Sequence, residues 1–511
     1  MSATRTPGIA PGSQPAMVIA GLMAIYMQAV NISIPNAALP HIQGTLSMAD
    51  DEVGWVFTSY IAAGIVVMPL SDWLGNRFGR KVIYQCSLAL FGVGLVLVML
   101  ATTPIQFVLA RIVQGAASGT LVPLSTAILL GTVLPAHHSR ISFASTVCVL
   151  VGISSGPSIG GWLSEYHGWP SIFAFSLPMA CYIFLTITLS PPEKKVEQRQ
   201  GAFDFFGFAT FMLGIVGLQA LLDRGERLEW FSSTEIWIEA AACVLGFYLF
   251  LVHVATTEVH FLNKALFKDR NFLLSTIMIF GSGIVLLPTL ALTSPMLEEL
   301  LNYPVDTTGY MTIPRGAALV AALVLMNFVP NRFDILIFVF GGSMLVVYAN
   351  WLMLGYSPEM DWRPVVTAGM LQGAGLGTLM PALAKAAFNT PDSKFRPQGA
   401  ALLNMTRLYG STIGVSIVQI FLYRNTQAMH LALVKHLRPY STMAHGTGSM
   451  ARPALARLND IITDQAAVVA VIGQFKILLI AMLIVTPLVL FLRKPRNPSP
   501  EADQRPTKVA A

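Results

Sequence analysis

The run Leu88-Ala-Leu-Phe-Gly-Val-Gly-Leu-Val-Leu-Val-Met-Leu-Ala101 indicates the fold class, because it carries no charged or strongly polar residue. A half-buried strand would alternate apolar and polar residues, and a membrane barrel would consist of alternating segments of about ten residues. The run from Ile477 to Leu492 has nearly the same character. Because a helix needs about 20 mostly apolar residues to cross a bilayer, these runs and their flanks predict transmembrane helices.

The composition also indicates a membrane protein. Of 511 residues, 54% are hydrophobic and 11% are charged, whereas soluble domains carry about 25% charged residues. This excludes a water-soluble globular protein. The net charge of +6 would suggest nucleic acid in a soluble protein. Here we attribute it to loops that face the cytoplasm, and we expect no nucleic-acid partner.

A window of about 19 residues places about fourteen apolar spans along the chain. They lie near residues 17–39, 53–71, 82–102, 106–131, 141–163, 170–189, 204–222, 236–254, 271–294, 309–329, 335–354, 363–387, 399–422 and 466–492. The sequence therefore predicts an all-α polytopic membrane protein. We expect six spans in residues 1–190, two in 191–257 and six in 258–492, with a long loop at 423–465 and a tail at 493–511.

Lysine and arginine in the loops predict the orientation. With the N-terminus inside, about 20 basic residues lie on the inner side and about eight on the outer side, five of them in the loop 423–465. Long loops are translocated with little regard to charge, so the short loops decide. We expect both termini in the cytoplasm and the loop 423–465 on the outer side.

Several enzyme classes are excluded by missing motifs. No connector is long enough for a nucleotide-binding domain, and neither G-x-x-x-x-G-K-[ST] nor H-E-x-x-H occurs. Ser155 lacks the strand-turn-helix context of a nucleophile elbow. The four cysteines lie in apolar stretches without the spacing of a zinc site, and we interpret them as small core residues. We expect neither an enzyme nor a bound metal or cofactor.

Polar residues inside the spans carry the functional information, because they are costly in lipid and usually face a cavity. In span four, Arg111, Gln114, Gly115 and Ser118 recur at i, i+3, i+4 and i+7 and share one helix face. Arg111 either anchors the bundle near an interface or acts as a cavity cation that responds to protonation nearby.

Span five contains Gly152-Ile-Ser-Ser-Gly156-Pro157-Ser-Ile-Gly160-Gly161. Gly152, Gly156 and Gly160 align on one face and allow close backbone approach, and Pro157 permits a bend. Any packed helix pair could use Gly-x-x-x-Gly, but the complete string is far more restrictive.

The turn between spans two and three carries Asp72, Arg77, Arg80 and Lys81 around two glycines. Its cations could contact helix ends and carboxylates and so brace one conformation. The alternative is a generic positive anchor on the inner side.

Further polar and aromatic side chains in the spans predict a substrate cavity. The residues assigned to it are Gln28, Asn31, Asn36, Tyr60, Gln372, Asn404 and Arg407. Pro35 in the middle of span one frees backbone carbonyls that must be satisfied inside the protein. Arg315, near the start of span ten, either joins this set or lies at the outer interface.

These motifs resemble those of the major facilitator superfamily, in its fourteen-helix drug:proton antiporter branch, the EmrB-like permeases. The string Gly152 to Gly161 resembles the helix-five antiporter signature, Leu109 to Gly115 the helix-four arginine motif, and Gly75 to Lys81 the motif of the loop between helices two and three. Leu222 to Phe231 is similar to a stretch typical of this branch. The resemblance covers nearly the whole chain.

The resemblance implies two six-helix bundles around a central cavity, with two extra helices inserted between them. It implies multidrug efflux, and hence antibiotic resistance, in which proton entry drives export of amphipathic small molecules by alternating access. It places the chain in a bacterial inner membrane, with a periplasmic adaptor protein and an outer-membrane channel as expected partners. Arg111 and Gln114 take the proton-coupling role by this resemblance, and Asp72, Arg77 and Arg80 the gating role.

Two positions depart from the branch. Asn31 stands where an aspartate is usual in helix one, and Asn76 stands at the usual aspartate of the loop motif, although Asp72 lies one turn earlier. An amide cannot carry the proton. We consider Glu165 and Asp223, near span ends, as substitutes.

Two other functions remain open. An uncoupled facilitator or uptake carrier on the same fold would account for Asn31 and Asn76. A non-transporting membrane scaffold or sensor would use the loop 423–465 as its partner surface.

Overall fold

The computed structural model describes residues 14–49, 52–134, 137–190, 203–257, 264–328, 334–388, 396–435 and 451–493. Throughout these ranges the regular structure is helical, without a strand. The predicted all-α class is confirmed.

Among the described residues, nine helices precede the connector at 191–202. They are α1 (Gln14–Ser33), α2 (Leu39–Leu46), α3 (Trp55–Val67), α4 (Leu70–Phe78), α5 (Arg80–Met99), α6 (Pro104–Thr132), α7 (His138–His167), α8 (Ser171–Ala174) and α9 (Ser176–Leu189). Nine more follow it in the described ranges. They are α10 (Phe205–Arg224), α11 (Thr234–Thr256), α12 (Lys264–Lys268), α13 (Arg270–Pro295), α14 (Val305–Phe328), α15 (Ile335–Met353), α16 (Trp362–Ala387), α17 (Arg396–Lys435) and α18 (Ala451–Val485).

Short polar residues set where several helices begin. The side chain of Thr103 accepts from Gln106 N before α6, at 3.3 Å, and that of Asp204 accepts from Gly207 N before α10, at 2.8 Å. Such caps satisfy amides that have no partner within the helix. Gly79 joins α4 to α5 with φ of +94°, a conformation that side-chain-bearing residues rarely adopt.

The predicted spans all coincide with helices. Among the described residues, 11 helices are long and apolar enough to cross a membrane, and α3 with α4, bent by 52°, makes up to 12. The predicted spans 363–387 and 399–422 lie on α16 and α17, which are not among these. Arginine, asparagine, glutamine and glycine lower the hydropathy of these two helices, although both are long.

The structure departs from simple spans in two places. After α1 the chain forms a 3-10 turn at Ile34–Ala38, where Pro35 cannot donate a backbone hydrogen bond. The helices α17 and α18 extend into the predicted loop 423–465, so parts of that loop are helical. Its centre, 436–450, and the tail after residue 493 lie outside the described residues.

The helices form two closely packed sets. In the first, α3 and α5 pack on α6, and α1 packs on α6 and α7; in the second, α14 and α15 pack on α16, and α13 packs on α16 and α17. Contacts of α7 with α14 and of α3 with α17 join the sets, and α10 packs on α11, α17 and α3. Cys86 and Cys181 are exposed, so interpreting them as core residues was wrong.

Candidate functional site

Arg111 lies wholly inside the first helix set, with 0% of its surface exposed. Its guanidinium donates to Val56 O at 3.1 Å, to Asn31 O at 3.3 Å and to Gln114 Oε1 at 2.8 Å. The ring of Tyr60 lies 4.2 Å from Cζ, in cation–π contact. Arg111 therefore does not reach an interface, and its acceptors are all neutral groups.

Gln114 and Asn31, which the sequence assigned separately, form one hydrogen-bonded chain. Gln114 Nε2 donates to Asn31 Oδ1 at 3.0 Å, and Asn31 Nδ2 donates to Met27 O at 2.8 Å and Ser176 Oγ at 2.7 Å. The amide at position 31 thus uses one acceptor and two donors. An ionised aspartate could not make the two donated bonds. Ser176, on α9, was missed because an isolated serine carries no sequence signal.

The glycines of α7 allow its close contact with the end of α1. A Cβ atom at Gly156 would lie 2.0 Å from Ser33 Oγ, and one at Gly160 would lie 2.2 Å from Ile34 O. At Gly152 the nearest atom, Ala29 Cβ, would be at 2.7 Å. No side chain fits at these separations. The predicted common face of the three glycines is the face that meets α1.

The same helix contacts α14 of the second set. A Cβ at Gly161 would lie 2.6 Å from Val305 O, and one at Gly309 would lie 3.2 Å from Pro157 O. Ser158 Oγ donates to Gly309 O at 2.7 Å. The antiporter-like motif of α7 therefore packs its glycine face against α1, in its own set. Its C-terminal end packs against α14, in the other set.

A small cavity near Tyr60 lies among α1, α3 and α6 and meets the second set at Leu408 of α17. It is lined by Gln28, Ile32, Tyr60, Ile61, Gly64, Met68, Ser118, Gly119 and Leu408. Of the predicted cavity residues it contains Gln28 and Tyr60. Asn31 and Asn36 are both 0% exposed and do not line it. Asn36 Nδ2 donates to Ser33 O at 2.8 Å, while its Oδ1 is buried without a partner among the described residues.

The two sets repeat one helix contact. On α6, a Cβ at Gly115 would lie 2.1 Å from Tyr60 O, and on α16 a Cβ at Gly373 would lie 2.1 Å from Arg315 O. The next turn repeats the match, because a Cβ at Gly119 would lie 2.3 Å from Gly64 O and one at Gly377 would lie 2.2 Å from Leu319 O. The pair α3–α6 therefore corresponds to α14–α16, as expected for internally repeated transporters.

The sequence carries the signal of this repeat. Gln114-Gly-Ala in span four matches Gln372-Gly-Ala in span twelve, and Gly369 stands at the position that corresponds to Arg111. Arg315 corresponds to Tyr60 by its backbone contact. The buried cation thus lies on α6, the fourth span of the first set, and on α14, the second span of the other set.

Arg315 is 8% exposed, so it packs inside the helix bundle. Nη2 donates to Leu286 O at 3.1 Å, and the buried Nε has no acceptor among the described residues. A Cβ at Gly369 would lie 3.4 Å from Arg315 Cβ, so the arginine stem occupies the space beside this glycine. Burial raises the pKa of Tyr356, and Arg315 opposes that rise. The neutral phenol supplies no negative charge.

Gln372 lies one turn from Gly369 and is fully buried. Its Nε2 donates to Thr289 Oγ1 at 3.1 Å and to Asn350 Oδ1 at 3.4 Å. Its Oε1 is buried without a partner in the described part of the chain. Arg315 thus has a buried donor without a partner, and Gln372 a buried acceptor without one, among the described residues.

Asn404 and Arg407 are neighbours on α17, as their spacing predicts. Arg407 Nη2 donates to Asn404 Oδ1 at 2.8 Å, and both side chains are half-buried. A Cβ at Gly283 would lie 2.4 Å from Arg407 O, so this turn of α17 packs tightly on α13.

The loop motif lies on α4 and at the start of α5. Asp72 and Arg77 are exposed, and Arg80 is half-buried. Arg77 lies over the rings of Trp73 and Phe78, with Cζ at 5.6 and 5.8 Å. The ion pairs of the described residues include none of the three motif residues. Bracing by ion pairs is therefore not a feature of this conformation.

The carboxylate candidates differ in their surroundings. Glu165 is exposed at the end of α7. Asp223, on α10, accepts from Gln219 Nε2 at 2.9 Å and from the hydroxyl of Ser416 on α17. Glu298 lies in a π-helical turn, Met296–Leu300, and both its carboxylate oxygens are buried without a partner among the described residues. Sequence reasoning missed Glu298, because a glutamate at a span end usually faces water.

The stretch Leu222–Phe231 ties the two sets together at the ends of α3 and α17. Arg227 forms an ion pair with Glu52, before α3, and Glu226 accepts from Arg424 Nε, on α17, at 2.7 Å. We call these two pairs the end clasp. Trp55 Nε1 also donates to Asp223 O at 3.4 Å.

The described residues contain no group of three or more His, Cys, Asp or Glu side chains suited to a metal ion. Buried polar networks inside packed apolar helices, with repeated halves, are typical of membrane transporters. Residues 21–415 match the Major Facilitator Superfamily. The chain belongs to this superfamily.

Individual relatives agree over nearly the whole chain. It is 28% identical over 496 residues, covering 94% of this chain and 95% of the relative, to the multidrug export protein EmrB of Escherichia coli (strain K12). It is 27% identical over 483 residues, 93% of this chain and 95% of the relative, to the fatty acid resistance protein FarB of Neisseria gonorrhoeae.

A solved structure shares the fold. It is a bacterial homologue of the human lysosomal transporter Spinster in an inward-facing, unoccupied conformation, with a TM-score of 0.60 and 15% identity. The match covers 96% of this chain and 100% of that chain.

Proposed function

We propose that this protein exports amphipathic small molecules in exchange for protons by alternating access. The observation that carries the proposal is the buried chain from Arg111 through Gln114 to Asn31, because it joins α6 to α1 beside the cavity near Tyr60. A buried cation without an ionised partner is energetically costly. The hydrogen bonds that hold Arg111 should therefore rearrange when a charge moves nearby.

The contact between α7 and α14 supports alternating access. Its glycines hold two backbones close without interlocking side chains, so the sets can separate there with little repacking. The end clasp is formed in the same conformation in which α7 contacts α14. Its ion pairs are partly exposed and therefore weak. A closed end that opens at small cost is what alternating access requires.

The substrate class and the setting come from relatives. The name of the EmrB relative gives it the role of exporting drugs, and the name of the FarB relative gives it a role in resistance to fatty acids. Both point to amphipathic cargo. We extend the proposal to the bacterial inner membrane with cytoplasmic termini, two six-helix bundles with α10 and α11 between them, and a periplasmic adaptor and outer-membrane channel as partners.

Asn31 cannot be the proton carrier, so the proposal assigns that role to Asp223 or Glu298. Burying an ionised carboxylate costs several kcal/mol, and a bound proton removes this cost. Both residues lie on helices that contact another part of the bundle, so a proton there can influence helix packing.

The test uses inside-out membrane vesicles with a respiration-generated pH gradient. Added substrates should collapse the gradient in wild type but not in Arg111→Ala. Substrate movement without collapse would instead favour the uncoupled carrier, for which the neutral amide of Asn31 is the specific observation. Absence of any substrate movement in wild type would contradict both.

A further inference from the structure

Asp223 lies near the end of α10, and it forms no ion pair among the described residues. Other acids of this region have cationic partners. The pairs are Glu52–Arg227, Glu226–Arg424, Glu235–Arg224 and Glu239–Arg224. Further titratable side chains that face α10 or its outer turn are Tyr409, Tyr423 and Cys243, which are neutral at physiological pH, and Glu229, which is exposed. The charge of an ionised Asp223 is therefore balanced by no arginine.

Two neutral side chains hold the Asp223 carboxyl group instead. Gln219 Nε2 donates to Asp223 Oδ1 at 2.9 Å and to Ser416 Oγ at 2.8 Å, and the Ser416 hydroxyl donates to the same carboxylate oxygen. Gln219 and Ser416 are both buried. This cluster ties α10 to α17 of the second set.

The cluster has one acceptor more than its donors satisfy. Gln219 Oε1 is buried without a partner among the described residues. A protonated Asp223 supplies the missing donor once the amide turns about its Cγ–Cδ bond, since an amide presents an acceptor on one side and donors on the other. The proton also removes a buried charge, which is costly to keep. Both effects favour a bound proton while α17 packs against Asp223.

Asp223 is linked to the first set as well. Trp55 Nε1, at the start of α3, donates to Asp223 O at 3.4 Å. A Cβ at Gly54 would lie 3.5 Å from Gln419 Cγ, so the start of α3 also contacts α17 within one turn of Ser416. The carboxyl group is therefore enclosed only while α3, α10 and α17 stay together.

A small cavity lies beside the carboxyl group. It is lined by Gly54, Trp55, Leu222, Asp223, Glu226, Ser416, Gln419, Ile420 and Tyr423. Its volume of about 20 Å³ is room for a water molecule. Tyr423 is exposed, so the cavity lies near the surface at the end of the bundle that carries the end clasp. With the termini in the cytoplasm, as proposed, this end faces outward, and a proton from the outer side has a short route to Asp223.

We propose that Asp223 binds a proton from the outer side and that the bound proton stabilises the closed outer end, with Gln219 and Ser416 as positioning residues. This inference rests on the proposed function, because it selects one of its two candidate carriers and gives the direction of the linkage. When α17 moves away, Asp223 meets water and its ionised form is no longer costly. Closure buries the group and takes up the proton. A falling outer pH therefore favours the closed outer end, and a rising pH favours its opening.

The test follows the outer end by the distance between two spin labels. Cysteines replace the exposed Thr102, before α6, and Gln465, on α18, in a full-length chain whose four native cysteines are changed to serine. The protein is placed in lipid nanodiscs without substrate, and pulsed electron paramagnetic resonance gives the closed fraction. With the native cluster, this fraction should be at least about threefold higher at about pH 5 than at about pH 8.

Three variants separate a proton site from a structural contact. Asp223→Asn mimics the protonated group, so its closed fraction should be high and equal at both pH values. Ser416→Ala removes a donor that the ionised carboxylate needs most, so its closed fraction should fall at the higher pH and change less at the lower pH. Glu359→Gln, at an exposed position, should follow wild type.

Three results would overturn the inference. They are equal closed fractions at both pH values with the native cluster, a wild-type pH response in Asp223→Asn, and an equal loss of closure at both pH values in Ser416→Ala. The last result remains decisive if Asp223→Asn does not fold, because Ser416→Ala leaves the carboxyl group in place.

The inference and the proposed function fail in different ways, because the distance measurement needs no transport. If acid closes the outer end through Asp223 but substrates do not collapse the vesicle pH gradient, the site stands and the proton exchange is wrong. If the gradient collapses while the distances do not respond to pH, the exchange stands and the site at Asp223 is wrong.

Discussion

Asn31 Oδ1 accepts a hydrogen bond from Gln114 Nε2 at 3.0 Å, and Gln114 in turn accepts from the buried Arg111. Through this chain the side chain at position 31 determines how the guanidinium is balanced. A neutral amide leaves the positive charge in place, whereas an acid would cancel it.

We therefore expect Asn31→Asp to move more protons per substrate, because an acid returns to helix one beside the buried Arg111. Collapse of the vesicle pH gradient, measured per transported substrate, checks the effect. Asn302→Asp, at an exposed position, is the control, and an unchanged ratio of protons to substrate in Asn31→Asp would contradict the prediction.

Gly156→Ala should destabilise the contact between α7 and α1. Its Cβ would lie 2.0 Å from Ser33 Oγ, so the helices must shift, at a cost of about 1–3 kcal/mol. Fluorescence-monitored thermal unfolding in detergent measures the loss. Gly92→Ala is matched to it, because a Cβ there meets nothing within 4 Å. Similar unfolding temperatures for the two variants would show that the close approach is not needed.

Arg111→Lys should lose transport although the charge is retained. The guanidinium reaches Val56 O, Asn31 O and Gln114 through separate nitrogens and also stacks on Tyr60. A single ammonium cannot reproduce this planar set. Vesicle transport is expected to fall at least about tenfold, or about 1.4 kcal/mol, while membrane insertion stays normal on a blot. Wild-type transport in the lysine variant would mean that charge alone suffices.

The end clasp can be tested by exchanging its charges. Glu52→Arg and Arg227→Glu each bring like charges together, and the double variant restores an ion pair in reverse. Since exposed pairs contribute about 0.2–1 kcal/mol, each single change should alter the transport rate by a factor of about 1.5 to 5. The double variant should return toward the wild-type rate. Additive effects in the double variant would show that the two residues do not act as a pair.

Asp223→Asn and Glu298→Gln distinguish the proton carriers. Each keeps the size of the side chain and removes the titratable proton, so the variant at the carrier should still bind substrate but should no longer collapse the pH gradient. Glu359→Gln, at an exposed position, should behave like wild type. If both variants collapse the gradient normally, neither carboxylate carries the proton, and the assignment to buried carboxylates is wrong.

Much of the fold could be predicted because long apolar runs have few alternatives in a membrane. Helical periodicity also placed Arg111 with Gln114 on one face. Periodicity does not say which neighbour a face meets, so the partners Ser176 and Val56 could not be predicted. The polar residues that α16 and α17 place inside the bundle, such as Gln372 and Arg407, also lower the hydropathy of these two helices.

Arg315 shows a different limit. Its distance from the start of a span is compatible with an interface, and only its packing against Gly369 and Gly373 gives its burial. The repeated Gln-Gly-Ala triplet was present in the sequence and relates α6 to α16. The sequence does not show which residue of α14 corresponds to Tyr60. That correspondence follows only from the three-dimensional contact between α14 and α16.

The exchange of Tyr60 for Arg315 at corresponding positions makes the two helix sets chemically unequal. The first set carries its buried cation on α6, where an aromatic ring stacks on it, and the second carries one on α14, beside a glycine of α16. A charge that enters the protein between the two sets consequently acts on the fourth span of one set and on the second span of the other.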